Sequence, residues 1–87
     1  MNYYVYLLIS YHKNKYYTYV GYTNNLKKRL TLHNNSKGAK YTKGKKWSII
    51  FRKAYKTKSL AMKNEIKFKN NRKERNIIKL NYINNKL

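Results

Sequence analysis

The chain has 87 residues, enough to bury roughly 60–65% of its unfolded surface around one small core, so a single domain over 1–87 is expected. Its 22 Lys and Arg stand against two Glu and no Asp, a formal charge of +20 at pH 7, and there is no Cys. That composition excludes disulfide staples and a thiolate zinc site and offers no apolar run of bilayer-spanning length. It also makes a polyanion the expected partner, DNA first and RNA as a non-specific substitute.

Met1 to Ser10 is dominated by Tyr, Val, Leu and Ile, which predicts a strand. The same stretch lacks the basic leader of a secretory signal, so a cytoplasmic protein without membrane attachment is expected. Tyr11 to Lys15 is polar and turn-like, and Tyr16 to Tyr22 reads as a second strand. So short a link permits only a hairpin, hence antiparallel pairing. Gly21, near the end of the second strand, marks a bulge or a close approach to the backbone.

Asn24 or Asn25 can cap a helix running from Leu26 to about Asn34. At about 100° per residue, Leu26, Leu30 and His33 share one side, with Arg29 on its shoulder. Asn35 to Lys46 is a basic loop with Lys37, Lys40, Lys43, Lys45 and Lys46 around Tyr41. Lysines interleaved with aromatic rings suit phosphate neutralisation with base stacking. Lys27 and Lys28 extend the basic surface onto the helix. Trp47 to Tyr55 is expected as a third strand with Trp47, Ile49 and Phe51 on one face. Ser59 is placed as the cap of a helix from Leu60, Asn70-Asn71 as a break, and Arg72 to Asn84 as a last helix. Glu74 reads as a solvated first-turn residue of that helix, favoured by its dipole.

Glu65 is the sharpest clue to chemistry. On the helix from Leu60, the residues Ala61, Met62, Ile66 and Phe68 define an apolar arc, and Glu65 falls near its middle. An inward carboxylate needs a compensating cation. That cation is either a lysine or a hard metal ion, since Mg²⁺ and Mn²⁺ are held by one or two carboxylates plus water and phosphate oxygens. In so acid-poor a chain the metal reading is favoured. Arg29 and His33 lie one helical turn apart on a shared face. The first can grip a phosphate in a bidentate fork, and the second can position water or orient a phenol. Tyr6 and Tyr19 are candidate phenols. Their ordinary pKa near 10 is too high for a base at neutral pH, so Arg29 and a metal are needed to lower it and an alkaline optimum is expected.

These residues in this order resemble the GIY-YIG endonuclease superfamily. Tyr4-Val5-Tyr6 stands for the Gly-Ile-Tyr element. The run from Tyr19-Val20-Gly21 through Tyr22-Thr23-Asn24-Asn25-Leu26, with Arg29 and His33-Asn34, is similar to the family's central motif. Gly38-Ala39-Lys40-Tyr41-Thr42, Trp47 and Ser59-Leu60-Ala61-Met62 followed by Glu65 look like the small standalone bacterial branch, related to the UvrC and SLX-type nuclease domains.

The resemblance implies an α+β fold, a three-stranded antiparallel sheet of order β-β-α-β-α-α flanked by helices. It implies metal-dependent hydrolysis of DNA with one Mg²⁺ or Mn²⁺ ion. In that scheme Glu65 holds the metal, Arg29 steadies the phosphate and Tyr6 accepts a proton with Tyr19 and His33 beside it, the two tyrosines being exchangeable. Tyr4 departs from the family's Gly. Without a further DNA-binding domain, the expected activity is structure-selective, on branched, flap or single-stranded DNA in repair or recombination, with low sequence specificity. The alternative is a non-catalytic basic nucleic-acid-binding module on the same fold.

Overall fold

The computed structural model describes residues 1–86. Its elements are β1 (Tyr3–His12), β2 (Lys15–Thr23), α1 (Leu26–Asn34), a short 3₁₀ turn (Lys40–Thr42), β3 (Ser48–Tyr55), α2 (Lys58–Lys69) and α3 (Arg72–Lys86). β1 is the centre of a three-stranded sheet of order β2-β1-β3, and both of its pairings are antiparallel. The expected α+β architecture is what the chain adopts.

The hairpin is tighter than the polar stretch Tyr11 to Lys15 predicts. His12 pairs with Lys15, leaving a two-residue turn in which Lys13 and Asn14 have φ of 50° and 67°. Two consecutive left-handed residues match the twist of the flanking strands, and Asn tolerates that conformation readily.

β1 is buried continuously from Val5 to Ser10 because both of its faces are covered. On one face Val5 and Leu7 join Val20 with Ala61 and Phe68 of α2. On the other, Tyr6 and Leu8 meet Trp47, with Leu26 and Leu30 of α1 packed against them. Each buried aliphatic side chain contributes roughly 1.5–3 kcal/mol. α1 therefore lies on one side of the sheet and α2 on the other, with Ile78 of α3 completing the second layer.

Two expectations need correcting. Trp47 and Ile49 share the α1 face, but Phe51 packs on the α2 face. A register shift between Leu7 and Leu8 sets Leu7 opposite Phe51 and Leu8 opposite Ile49. The extra residue, Ile50, breaks the period of two, as a bulge does. The cap of α2 is Thr57 rather than Ser59, its hydroxyl accepting from Leu60 N at 3.1 Å. Glu74 is the exposed first-turn residue of α3 that the sequence predicts. It accepts from Asn71 Nδ2 at 2.9 Å while its own N–H donates to Asn71 Oδ1 at 3.1 Å, a reciprocal cap for α3. At α1 the cap is Asn25, which accepts from Lys28 N at 3.0 Å.

Candidate active site

Pairing places Tyr6 opposite Gly21, and the Tyr6 ring lies across the β2 backbone there. A Cβ on Gly21 would overlap the Tyr6 hydroxyl, so the glycine is the close-approach position that the sequence marks. Beyond it Tyr6 Oη meets His33 Nε2 at 2.9 Å, a contact buried between β1 and α1.

The other nitrogen of His33 fixes the direction of that bond. Its Nδ1 lies 2.9 Å from Thr42 Oγ1. The Thr42 hydroxyl donates its one proton to Ala39 O at 2.9 Å and accepts from Ala39 N at 3.2 Å. It can therefore only accept from His33, which assigns the proton to Nδ1 and leaves Nε2 as the acceptor for the Tyr6 hydroxyl. His33 and Thr42 are both fully buried. Burial, aided by the positive charge of Arg29, pulls the His33 pKa down to about 4, so the ring stays neutral at pH 7.

Burial likewise pushes the Tyr6 phenol up to about 12, against hydrogen bonding and charge from Arg29, which act downwards. The charges of Tyr19 and Glu65 add to the rise. The sequence expectation that Arg29 would acidify the phenol holds in direction, but in the protein without a metal desolvation outweighs it. Arg29 Nε is buried and has no hydrogen-bond partner among the described residues. The same side chain lines a cleft of about 440 Å³ with Tyr22, Thr23, Asn24 and Lys58. A buried unpaired donor is costly, and an anion entering that cleft would satisfy it.

Tyr19 stands beside His33, ring centroids 5.1 Å apart. Glu65 lies on α2 with its side chain 15% exposed, and its carboxylate is the smallest of the causes that act on the Tyr6 phenol. It is at the margin of the buried face, not its middle. Ala61 and Phe68 are buried, whereas Met62 and Ile66 are 42% and 58% exposed. Lys69, half exposed, approaches Glu65 Oε1 at 3.7 Å.

The described residues contain no group of three or more His, Cys, Asp or Glu that could hold a metal ion. A half-buried carboxylate balanced by a lysine still fits a hard cation, because Mg²⁺ and Mn²⁺ take the rest of their shell from water and substrate phosphate. Glu65 is the residue that would hold it.

The basic residues are dispersed. Lys27 and Lys28 line a shallow cleft on the outer side of α1 with Asn25, Thr31 and Leu32, apart from Tyr6. Lys37, Lys40, Lys43 and Lys46 are exposed. Lys45 lies over the rings of Tyr17 and Tyr41, at 5.0 and 5.5 Å. Their loop is ordered by side chains to which the sequence assigns no part in holding His33. Thr42 holds His33. A Cβ on Gly38 would collide with the His33 ring. Asn34 brackets Trp47, accepting from its N–H at 2.6 Å and donating to its carbonyl at 3.2 Å, while Trp47 Nε1 donates to Thr42 O at 2.9 Å. The small residue Gly38 and the hydroxyl of Thr42 were the available signal, but nothing in the sequence ties them to His33.

The model of the GIY-YIG catalytic domain matches residues 2–81 of this chain. The chain belongs to the GIY-YIG family. Among its relatives is the UPF0213 protein YazA of Bacillus subtilis (strain 168), 50% identical over 52 residues that make up 59% of this chain and 52% of the relative. The UPF0213 protein SAG0778 of Streptococcus agalactiae (serotype V, strain ATCC BAA-611 / 2603 V/R) is 39% identical over 66 residues, 75% of this chain and 72% of the relative. A UPF0213 protein of Bacillus pumilus (strain SAFR-032) is 46% identical over 52 residues, covering 59% and 53%. The chain thus spans about half the length of the Bacillus relatives it matches. No solved structure gives a match. The matching model is that of a catalytic domain. No helix among the described residues is long and apolar enough to cross a membrane.

Proposed function

We propose that this GIY-YIG protein is a metal-dependent DNA endonuclease of the cytoplasm, selective for branched, flap or single-stranded DNA and with little sequence specificity, working in repair or recombination. The observation that carries the reading is the Arg29 Nε donor, buried without a partner among the described residues next to a phenol oriented by a neutral imidazole. Arg29 takes the scissile phosphate and stabilises charge as it builds on the oxygens. Once its own proton has gone to solvent, the Tyr6 phenolate accepts the proton of the attacking water, with Tyr19 alongside. The water oxygen bonds to phosphorus as the P–O ester bond breaks, and the leaving oxygen takes a proton from solvent.

Magnitudes decide what His33 does. At pH 7 a phenol of pKa about 12 lies about five units short of ionising to solvent, on the order of 7 kcal/mol. Handing that proton to an imidazole of pKa about 4 spans about eight units, on the order of 11 kcal/mol. His33 therefore orients the phenol and does not take its proton. Glu65 is the residue that would hold a divalent ion, which would supply Lewis-acid stabilisation and favour the phenolate.

The test is purified protein with flap, single-stranded and duplex DNA, with and without Mg²⁺ or Mn²⁺. Metal-dependent nicking that is lost in Glu65→Ala while binding persists is the expected result. Equal nicking by both proteins would overturn the site. A second reading, a binding module without turnover, draws on the pairing of Glu65 with Lys69, which already balances the carboxylate. Binding of every substrate with no metal-dependent nicking would select it.

A further inference from the structure

β2 is an edge strand, and along it a cleft of about 250 Å³ is lined by Thr18, Tyr19, Val20, Tyr41, Lys69 and Arg75. On one wall the rings of Tyr19 and Tyr41 are nearly parallel, 21° apart in plane with centroids 6.1 Å apart. Tyr41 is 49% exposed, a large aromatic surface left in water. Across the cleft the Arg75 guanidinium is locked in place, Nε donating to Phe68 O at 3.1 Å and Nη2 to Lys69 O at 2.9 Å. Lys69 reaches from this wall towards Glu65, while Tyr19 on the other borders His33. The cleft therefore adjoins the Tyr6 site, on which Arg29 opens from a separate cleft.

We propose that this cleft receives one unpaired nucleobase of the cleaved strand, stacked on Tyr41, next to the phosphate held at Arg29. The proposal rests on the nuclease reading only for which phosphate lies alongside. Aromatic wall and cationic rim together match a nucleotide: the ring offers a π-surface that any base can use, and the lysines meet its flanking phosphates. Lys45 Nζ lies 5.5 Å from the Tyr41 ring centroid on a long flexible stem, so it can swing aside for a base and meet the phosphate beside it. A base within a duplex has both faces covered by its neighbours and must leave the stack to enter. Selectivity for single strands, flaps and junctions then follows from the stacking step, without any reading of base edges.

The experiment uses oligonucleotides carrying 2-aminopurine, whose fluorescence reports stacking, with EDTA present so that no cleavage occurs. Binding to a single-stranded arm is expected to change the signal, and binding to the same base inside a duplex is not. Tyr41→Phe keeps the single-strand response, whereas Tyr41→Leu, which keeps apolar bulk without a ring, loses it along with about tenfold in affinity. Lys45→Gln weakens single-stranded and duplex binding alike. A response retained in Tyr41→Leu, or an equal loss of single-stranded and duplex affinity in that variant, would overturn the proposal. Metal-dependent nicking without the fluorescence response overturns the cleft and leaves the nuclease reading standing. The response without nicking does the reverse.

Discussion

Tyr6 and His33 share one hydrogen bond and are driven in opposite directions by the same burial, the phenol up to about 12 and the imidazole down to about 4. With a phenolate as the base, its population rises tenfold for each pH unit below that value. The nicking rate in Mn²⁺ should therefore climb steadily between about pH 7 and 10. A rate that is flat over that range would remove Tyr6 as the proton acceptor. His33 has a consequence for stability as well. Its folded pKa lies below the ordinary 6.5, so between about pH 6.5 and 4 the unfolded chain binds a proton that the folded chain refuses. Stability is complete above that window and is lost as pH falls through it, by about 2 kcal/mol between pH 7 and 5. Urea titrations at the two pH values measure this, and His33→Gln should shrink the difference.

At the scale of elements, local patterns were legible and long-range ones were not. The hairpin, α1 and the break before α3 could be read because their turn and cap residues are neighbours in sequence, as with Asn25 accepting from Lys28. The bulge that turns Phe51 to the α2 side depends on how β1 meets β3, which no window of β3 contains. The wheel of α2 correctly drew attention to Glu65 but counted Met62 and Ile66 as core. Burial is decided by where the sheet lies, and the sheet meets α2 at Ala61 and Phe68. The role of Thr42 rests on a contact nine residues away in the chain, beyond any helical or strand period. Within α2, Lys69 is the rival of a metal for Glu65. With its lysine end half exposed and its ends 3.7 Å apart, this pair one turn apart is worth about 0.3–0.5 kcal/mol. Lys69→Met should then tighten Mn²⁺ binding by about twofold in calorimetry without DNA, and Glu65→Gln should abolish it. Unchanged affinity in both variants would remove Glu65 as the ligand.

Across the whole molecule, the +20 charge is spread over α1, the loop and both C-terminal helices rather than gathered at Tyr6. Charge disposed in this way supplies affinity for any nucleic acid and leaves selection to the site. The logarithm of the binding constant should fall linearly with the logarithm of salt concentration. The slope is about 0.9 per phosphate neutralised on duplex and about 0.7 on single strands, and an affinity independent of salt would exclude electrostatic capture.

The same charge bears on the open border of β2. Lys15–Thr23 presents an aromatic-rich strand whose outer side has no neighbouring strand in the sheet, a natural template for a second chain. Mutual repulsion between copies of so basic a chain opposes pairing along that border. A polyanion bound below saturation, or salt that screens the repulsion, removes the protection, so light scattering should rise under those conditions and fall again with excess DNA. Solubility and substrate engagement are thus set by one variable, the fraction of the positive field left uncovered.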